Sequence, residues 1–177
     1  MNNTQNKKSA AFIIMGVSST GKSTVGEQLA KRINAKFIDG DDLHPKANVI
    51  KMSEGHALND EDRAPWLERI RDAAFSIEKK NEAGVIVCSA LKQVYRDKIR
   101  EGNNNVIFLH LHADKAVITE RMQNREGHFM PVSLLDSQFA TLEMPSEEET
   151  KTHYIDVSVS IDDVIQSCVS TSNMYLG

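Results

Sequence analysis

Apolar and polar positions along this chain fall into two alternating patterns. Residues 11–15, 85–91 and 106–111 are short runs that are apolar almost throughout. Runs of this length suit strands buried on both faces, as in a parallel sheet covered by helices. Residues 35–38 and 154–159 predict two further strands. Between the runs the period becomes helical. Val25, Leu29, Ala30 and Ile33 predict a helix ending near Asn34, and a short helix is expected over 45–54. Leu67, Ile70, Ala74 and Ile77 give a longer helix the buried stripe it needs, with Asn59 or Asp60 as its cap. A helix after the third run carries Tyr95, Arg96 and Asp97 and stops at Gly102. Asp114 can cap a helix with Val117, Ile118 and Met122. Ser160 and Asp163 open a last one through Val164, Ile165, Cys168 and Val169, and the final six residues are expected to fray. The alternation predicts an α/β fold of three layers, with a five-stranded parallel sheet and helices on both faces. A chain of 177 residues suits a single domain over 1–177.

The junction after the first run changes the picture from fold to chemistry. It reads Gly16-Val17-Ser18-Ser19-Thr20-Gly21-Lys22-Ser23-Thr24, the G-x-x-x-x-G-K-[ST] spacing of a P-loop between strand and helix. Such a loop turns successive backbone N–H groups into one concavity, and the helix start adds its own unpaired N–H groups and positive dipole end. Residues 16 and 18–24 are therefore the expected cradle for nucleotide phosphates. Lys22 would bridge the β- and γ-phosphates, Ser23 would ligate Mg2+, and Gly21 would let the backbone come close.

Other candidates follow at strand ends, where an open parallel sheet binds its ligands. Asp39-Gly40-Asp41 closes the second strand. The two acids suit separate tasks, one facing a metal shell and the other an acceptor hydroxyl. Asp60, Glu61 and Asp62 match a helix dipole, whereas Arg63 in the same turn opposes it and calls for an anionic partner. Trp66 reads as packing. The third strand ends at Cys88-Ser89 rather than at an aspartate, which leaves Asp39 as the best metal-associated acid. Arg121 and Arg125 share a helix face and lead into Gly127-His128-Phe129-Met130-Pro131. Two arginines flanking such a loop suit a mobile lid over phosphates, about 122–140.

Charge and composition exclude several classes. The net charge of −4 comes without a basic stripe, which argues against nucleic acid. No apolar run approaches a membrane span, and residues 1–10 lack the apolar centre of a signal peptide. Cys88 and Cys168 read as reduced core thiols of a cytoplasmic protein. No N-K-x-D or D-x-x-G follows the P-loop, which weakens a nucleotide-dependent switch as the alternative to a kinase.

The motifs together resemble the gluconate kinases, small P-loop kinases related in fold to shikimate and nucleoside monophosphate kinases. The matching stretches run in family order over about 12–145. They include Met15-Gly16-Val17-Ser18, Asp39-Gly40-Asp41, Leu43-His44-Pro45, Lys51-Met52, Leu58-Asn59-Asp60, Asp62-Arg63 and Pro65-Trp66. Cys88-Ser89-Ala90-Leu91-Lys92, Tyr95-Arg96-Asp97, Gly127-His128-Phe129 and Gln138-Phe139 continue the match. The resemblance implies ATP- and Mg2+-dependent phosphorylation of D-gluconate at its 6-hydroxyl by a homodimer. It implies that Lys22 and Ser23 hold phosphates and metal, that Asp39 belongs to the metal's water shell, and that Asp41 orients or deprotonates the acceptor hydroxyl. Arg63 would take the substrate carboxylate, with Lys92 a weaker second choice. His44, Ser89 and His128 complete the substrate set, and the substrate-binding helical segment is about 42–80. Arg121 and Arg125 would contact ATP phosphates, Arg125 as part of catalysis. One departure stands out: Ser19 replaces the first residue of the family's usual Gly-Ser or Gly-Thr. If that position needs positive φ, Ser19 costs roughly 1 kcal/mol.

Overall fold

The apolar runs need cover on both sides, and the computed structural model supplies it. It describes residues 8–124 and 132–177. Strands β1 (Ala10–Met15), β2 (Lys36–Asp39), β3 (Ala83–Val87), β4 (Val106–His112) and β5 (Thr152–Asp156) are all parallel, in the order β2-β3-β1-β4-β5. The helices are α1 (Lys22–Ile33), α2 (Lys46–Ser53), α3 (Asp60–Lys79), α4 (Gln93–Arg100), α5 (Lys115–Gln123), α6 (Val132–Thr141) and α7 (Ile161–Leu176).

Alternate strand residues feed two cores. Phe12 and Ile14, with Val85, Val87, Ile107 and Leu109, pack under α1, α5, α6 and α7. Ala11, Ile13 and Met15, with Ile86 and Phe108, pack under α3 and α4. All six β1 residues are buried, so truncating one of its larger side chains to alanine would cost about 2–5 kcal/mol. The layering also places the site. The helix following β1 lies on one face, and the helix following its neighbour β3 lies on the other. The chain therefore leaves the two strands in opposite directions and opens a crevice between their C-terminal ends.

The elements depart from the sequence reading at several points, each for a local reason. The third strand stops at Val87, not residue 91: Cys88 still donates to the Ile14 carbonyl, but Ala90 turns into the left-handed region with φ +47°. The fifth strand covers Thr152–Asp156, and the Asp156 carboxylate ends it by accepting the Ser158 N–H at 2.8 Å. Asp114 stands at the start of α5, yet its side chain makes no capping bond. The expected fraying of the last six residues does not occur. The helix α7 runs to Leu176, with Ser172 buried, the Tyr175 hydroxyl 2.6 Å from His153 Nε2 and the Tyr175 ring edge-on to Phe12.

Candidate active site

The P-loop occupies the crevice. Gly21 caps α1 with φ +86°, a conformation that costs glycine little, and Val25 N–H returns to its carbonyl. Glycine is required there for the backbone conformation; a Cβ would meet only ordinary contacts. The loop is tied internally by the Thr20 hydroxyl and the Lys22 ammonium, both donating to the Val17 carbonyl at 2.9 Å. At its entry, Gly16 N–H donates to the Ser89 carbonyl, so the end of β3 is fastened to the loop. Ser19 sits at φ +67°, the left-handed conformation for which a side chain is penalised.

The two acids differ from the simple strand picture. Only Asp39 belongs to β2; the chain then turns through a 3-10 helix, Gly40–Leu43, and Asp39 accepts the Asp41 N–H at 3.0 Å. Both carboxylates line a single cleft of about 320 Å³ with Ser18, Lys22, Ser23, Ser89 and Gln138. Gly40 makes the close approach possible, since a Cβ there would lie 2.3 Å from the Val87 carbonyl oxygen. Asp41 reaches solvent at the cleft mouth, yet the protein around it, and then the Asp39 charge, raise its carboxyl above the usual range. Ser23 and Asp39 line this cleft together, and their oxygens are of the hard type that could hold Mg2+.

A second layer fixes this turn. Trp66 Nε1 donates to the Gly40 carbonyl at 2.8 Å, and its ring stacks on His44 at 4.2 Å. Trp66 is packing, as expected, and also a strut for the acidic turn. Asn48, buried on α2, lies 3.3 Å from His44 Nδ1 and donates to the Asp62 carbonyl at 2.9 Å. An amide nitrogen is a donor only, so Nδ1 accepts and the His44 proton sits on Nε2. Burial and then the nearby Arg63 charge favour the neutral ring, against the pull of Asp41. Asp62 completes a full capping box with Asn59 and pairs with Lys51 at 2.6 Å, latching α2 to α3.

Arg63 has the anionic neighbour its placement calls for: Asp60, 3.8 Å away in the same turn. Tyr95 donates its hydroxyl to Asp60 and accepts from Arg63 at 3.3 Å, while Lys92 lies 3.4 Å from the same carboxylate. Asp60 thus does more than match the helix dipole, gathering both cations expected to meet a substrate carboxylate. Arg121 lies elsewhere. It donates to the Val159 carbonyl at 3.1 Å and lines a cleft of about 370 Å³ with Ser19, Thr20, Gly21, Thr24, Ser160 and Ile161. This cleft flanks the P-loop on the side away from Asp41. Arg125 and His128 lie outside the described residues. A further cleft of about 360 Å³ sits at the N-terminal ends of β4 and β5, remote from this chemistry, where Arg100 and Glu149 already satisfy each other.

Comparison with known proteins fits this geometry. The family model described as shikimate kinase matches residues 18–172. The thermosensitive gluconokinase of Escherichia coli (strain K12) is 54% identical over 158 residues, 89% of this chain and 84% of its own. The thermoresistant gluconokinase of the same organism is 43% identical over 166 residues, 94% of this chain and 95% of its own. The chain belongs to the gluconokinase family. A gluconokinase crystal structure from Sinorhizobium meliloti 1021 superposes with a TM-score of 0.84 at 42% identity, covering 96% of this chain and 95% of that one. The chain is accordingly a kinase acting on an alcohol acceptor.

Some parts of this gluconokinase-family cleft carry no local sequence signal. The contact of Gln138 on α6 with the P-loop is one, its Oε1 accepting the Ser18 N–H across 120 positions: the Gln138-Phe139 match names the residue but not its partner. Residues 159–161 reach the opposite flank from the start of α7. The roles of Asn48 and Trp66 were also missed, although both lie within reach of the Asp-Gly-Asp turn they support.

Proposed function

We propose that the chain transfers the γ-phosphoryl group of ATP to the 6-hydroxyl of D-gluconate, giving 6-phospho-D-gluconate and ADP. The observation that carries this is the cleft that places the P-loop lysine and serine with two carboxylates at the crevice between β1 and β3. The substrate is supported by the gluconokinase relatives, which match most of the chain.

In this reading, Lys22 and the loop N–H groups hold the phosphates, and Ser23 with Asp39 would hold Mg2+. The metal's part is charge neutralisation on the phosphates. Asp41 accepts the proton of the attacking hydroxyl as the new oxygen–phosphorus bond forms and the bond to the ADP oxygen breaks. A carboxyl raised by burial and by Asp39 is better matched to that proton than an unperturbed one. Arg63, with Lys92 second, meets the gluconate carboxylate, which requires Asp60 to share its cations. His44 Nε2–H and Ser89 offer further contacts to acceptor hydroxyls, and His128 belongs to the same set. Arg121, which lines the cleft on the other flank of the loop, and Arg125 contact the ATP phosphates. The acceptor segment is about 42–80 and the lid about 122–140. A cytoplasmic homodimer completes the proposal. Among the described residues no helix is long and apolar enough to cross a membrane.

The test is the 31P spectrum of the product formed from D-gluconate and Mg-ATP. A phosphomonoester split into a triplet by two geminal protons is expected for attack by the primary 6-hydroxyl. A doublet would place the group on a secondary hydroxyl and overturn the assignment.

A further inference from the structure

The helix α6 touches the P-loop through a polar side chain that the scheme above leaves unused. Gln138 is half-buried, and its Oε1 accepts the Ser18 N–H at 2.6 Å. The side-chain nitrogen therefore lies on the other arm of the amide and carries two donors. Ser18 lines the cleft that contains Asp39 and Asp41, whereas Thr20 and Arg121 line the opposite flank; Ser19 lies between and touches both. The Ser18 N–H thus belongs to the acceptor end of the loop, where the phosphoryl group must sit to meet an acceptor hydroxyl. Loop N–H groups of this kind serve phosphate oxygens. A phosphoryl oxygen and Gln138 Oε1 cannot both hold one N–H in good geometry.

We propose that Gln138 positions the transferring phosphoryl group: Oε1 gives up the Ser18 N–H to a γ-phosphoryl oxygen, and the amide N–H2 of Gln138 then donates to that group. This rests on the phosphoryl-transfer reading but not on the identity of the acceptor. ADP carries no γ-phosphoryl group and leaves the Gln138–Ser18 bond intact. Gln138 therefore senses the difference between ATP and ADP.

The test is calorimetric binding of ADP and of the β,γ-imido analogue of ATP to the wild-type chain, Gln138→Glu and Gln138→Ala, with kcat on D-gluconate alongside. Both substitutions suit a half-buried helical position, and circular dichroism checks the fold. In Gln138→Glu a carboxylate faces the γ-phosphoryl group in place of a donor. Affinity for the analogue should fall about tenfold or more while ADP changes by less than about threefold, the scale of one charge-assisted hydrogen bond. Gln138→Ala should lower kcat by about tenfold with ADP affinity again nearly unchanged. A residue that only docked α6 would shift both nucleotides together. Parallel shifts, or an unchanged analogue affinity in Gln138→Glu, overturn the proposal. Failure of D-gluconate as acceptor would leave the nucleotide arms readable.

Discussion

Single side chains in this cleft trade stability against chemistry. Ser19 holds φ +67° beside Gly21 in the loop. Relief of that strain outweighs the extra chain entropy of glycine, so Ser19→Gly should raise Tm by about 1–3 °C, and scanning calorimetry checks it. A lower Tm would show that the Ser19 side chain contributes more than its backbone costs. Asp41 makes a sharper case. Its carboxyl is raised by burial and by Asp39, so above that raised value its charge works against folding. Asp41→Asn should therefore melt above the wild type at neutral pH, with the difference closing below about pH 4, where the acid is neutral in both folded and unfolded chains. The same change should lower kcat by about 10²–10⁴-fold, the usual loss for a general base. A variant neither stabilised nor slowed would remove Asp41 from this role.

At the scale of elements, the loop after β3 is held by a buried ion pair. Arg96 on α4 is fully buried; it donates to the Ala90 and Leu91 carbonyls, to the Glu143 carbonyl, and to both oxygens of Glu149. Arg100 adds a second cation at 2.7 Å from Glu149. Burial alone would raise Glu149, but the two arginines and the Ser146 N–H hold its carboxyl down to about 2. Between that value and the unfolded value of about 4.3 the unfolded chain binds more protons, so stability is lost as pH falls through this window. Glu149→Gln leaves Arg96 buried with its charge uncompensated. It should cost about 3 kcal/mol at pH 7, roughly 6–12 °C in Tm, with the gap to wild type narrowing as pH approaches 2. A gap independent of pH would mean the carboxylate charge is not what stabilises the loop. This element was only partly legible in the sequence. Tyr95-Arg96-Asp97 stands out as a motif, but the partner lies 53 positions away and nothing local names it. The P-loop was fully legible because its strand, loop and helix are contiguous. The acidic turn was half legible: its residues were evident, but the 3-10 turn that follows Asp39 depends on Gly40 packing against Val87.

Over the whole molecule, the strand order sets where chemistry can occur. Apolar runs indicated a doubly covered parallel sheet, but not the order β2-β3-β1-β4-β5 that puts the ends of β1, β2 and β3 side by side. Parallel pairing spreads contacts over long separations, and nothing local in a uniformly apolar run selects its neighbour. From that order come the crevice, the P-loop on its floor and the acids on its wall. This assembly hands a phosphoryl group to a sugar acid. The most direct measurement is coupled ADP release from Mg-ATP with D-gluconate, other aldonic acids, shikimate or AMP as acceptor. Release that depends on an acceptor and is fastest with D-gluconate is the predicted result. ADP release that ignores every acceptor, from a chain that still binds ATP, would contradict it.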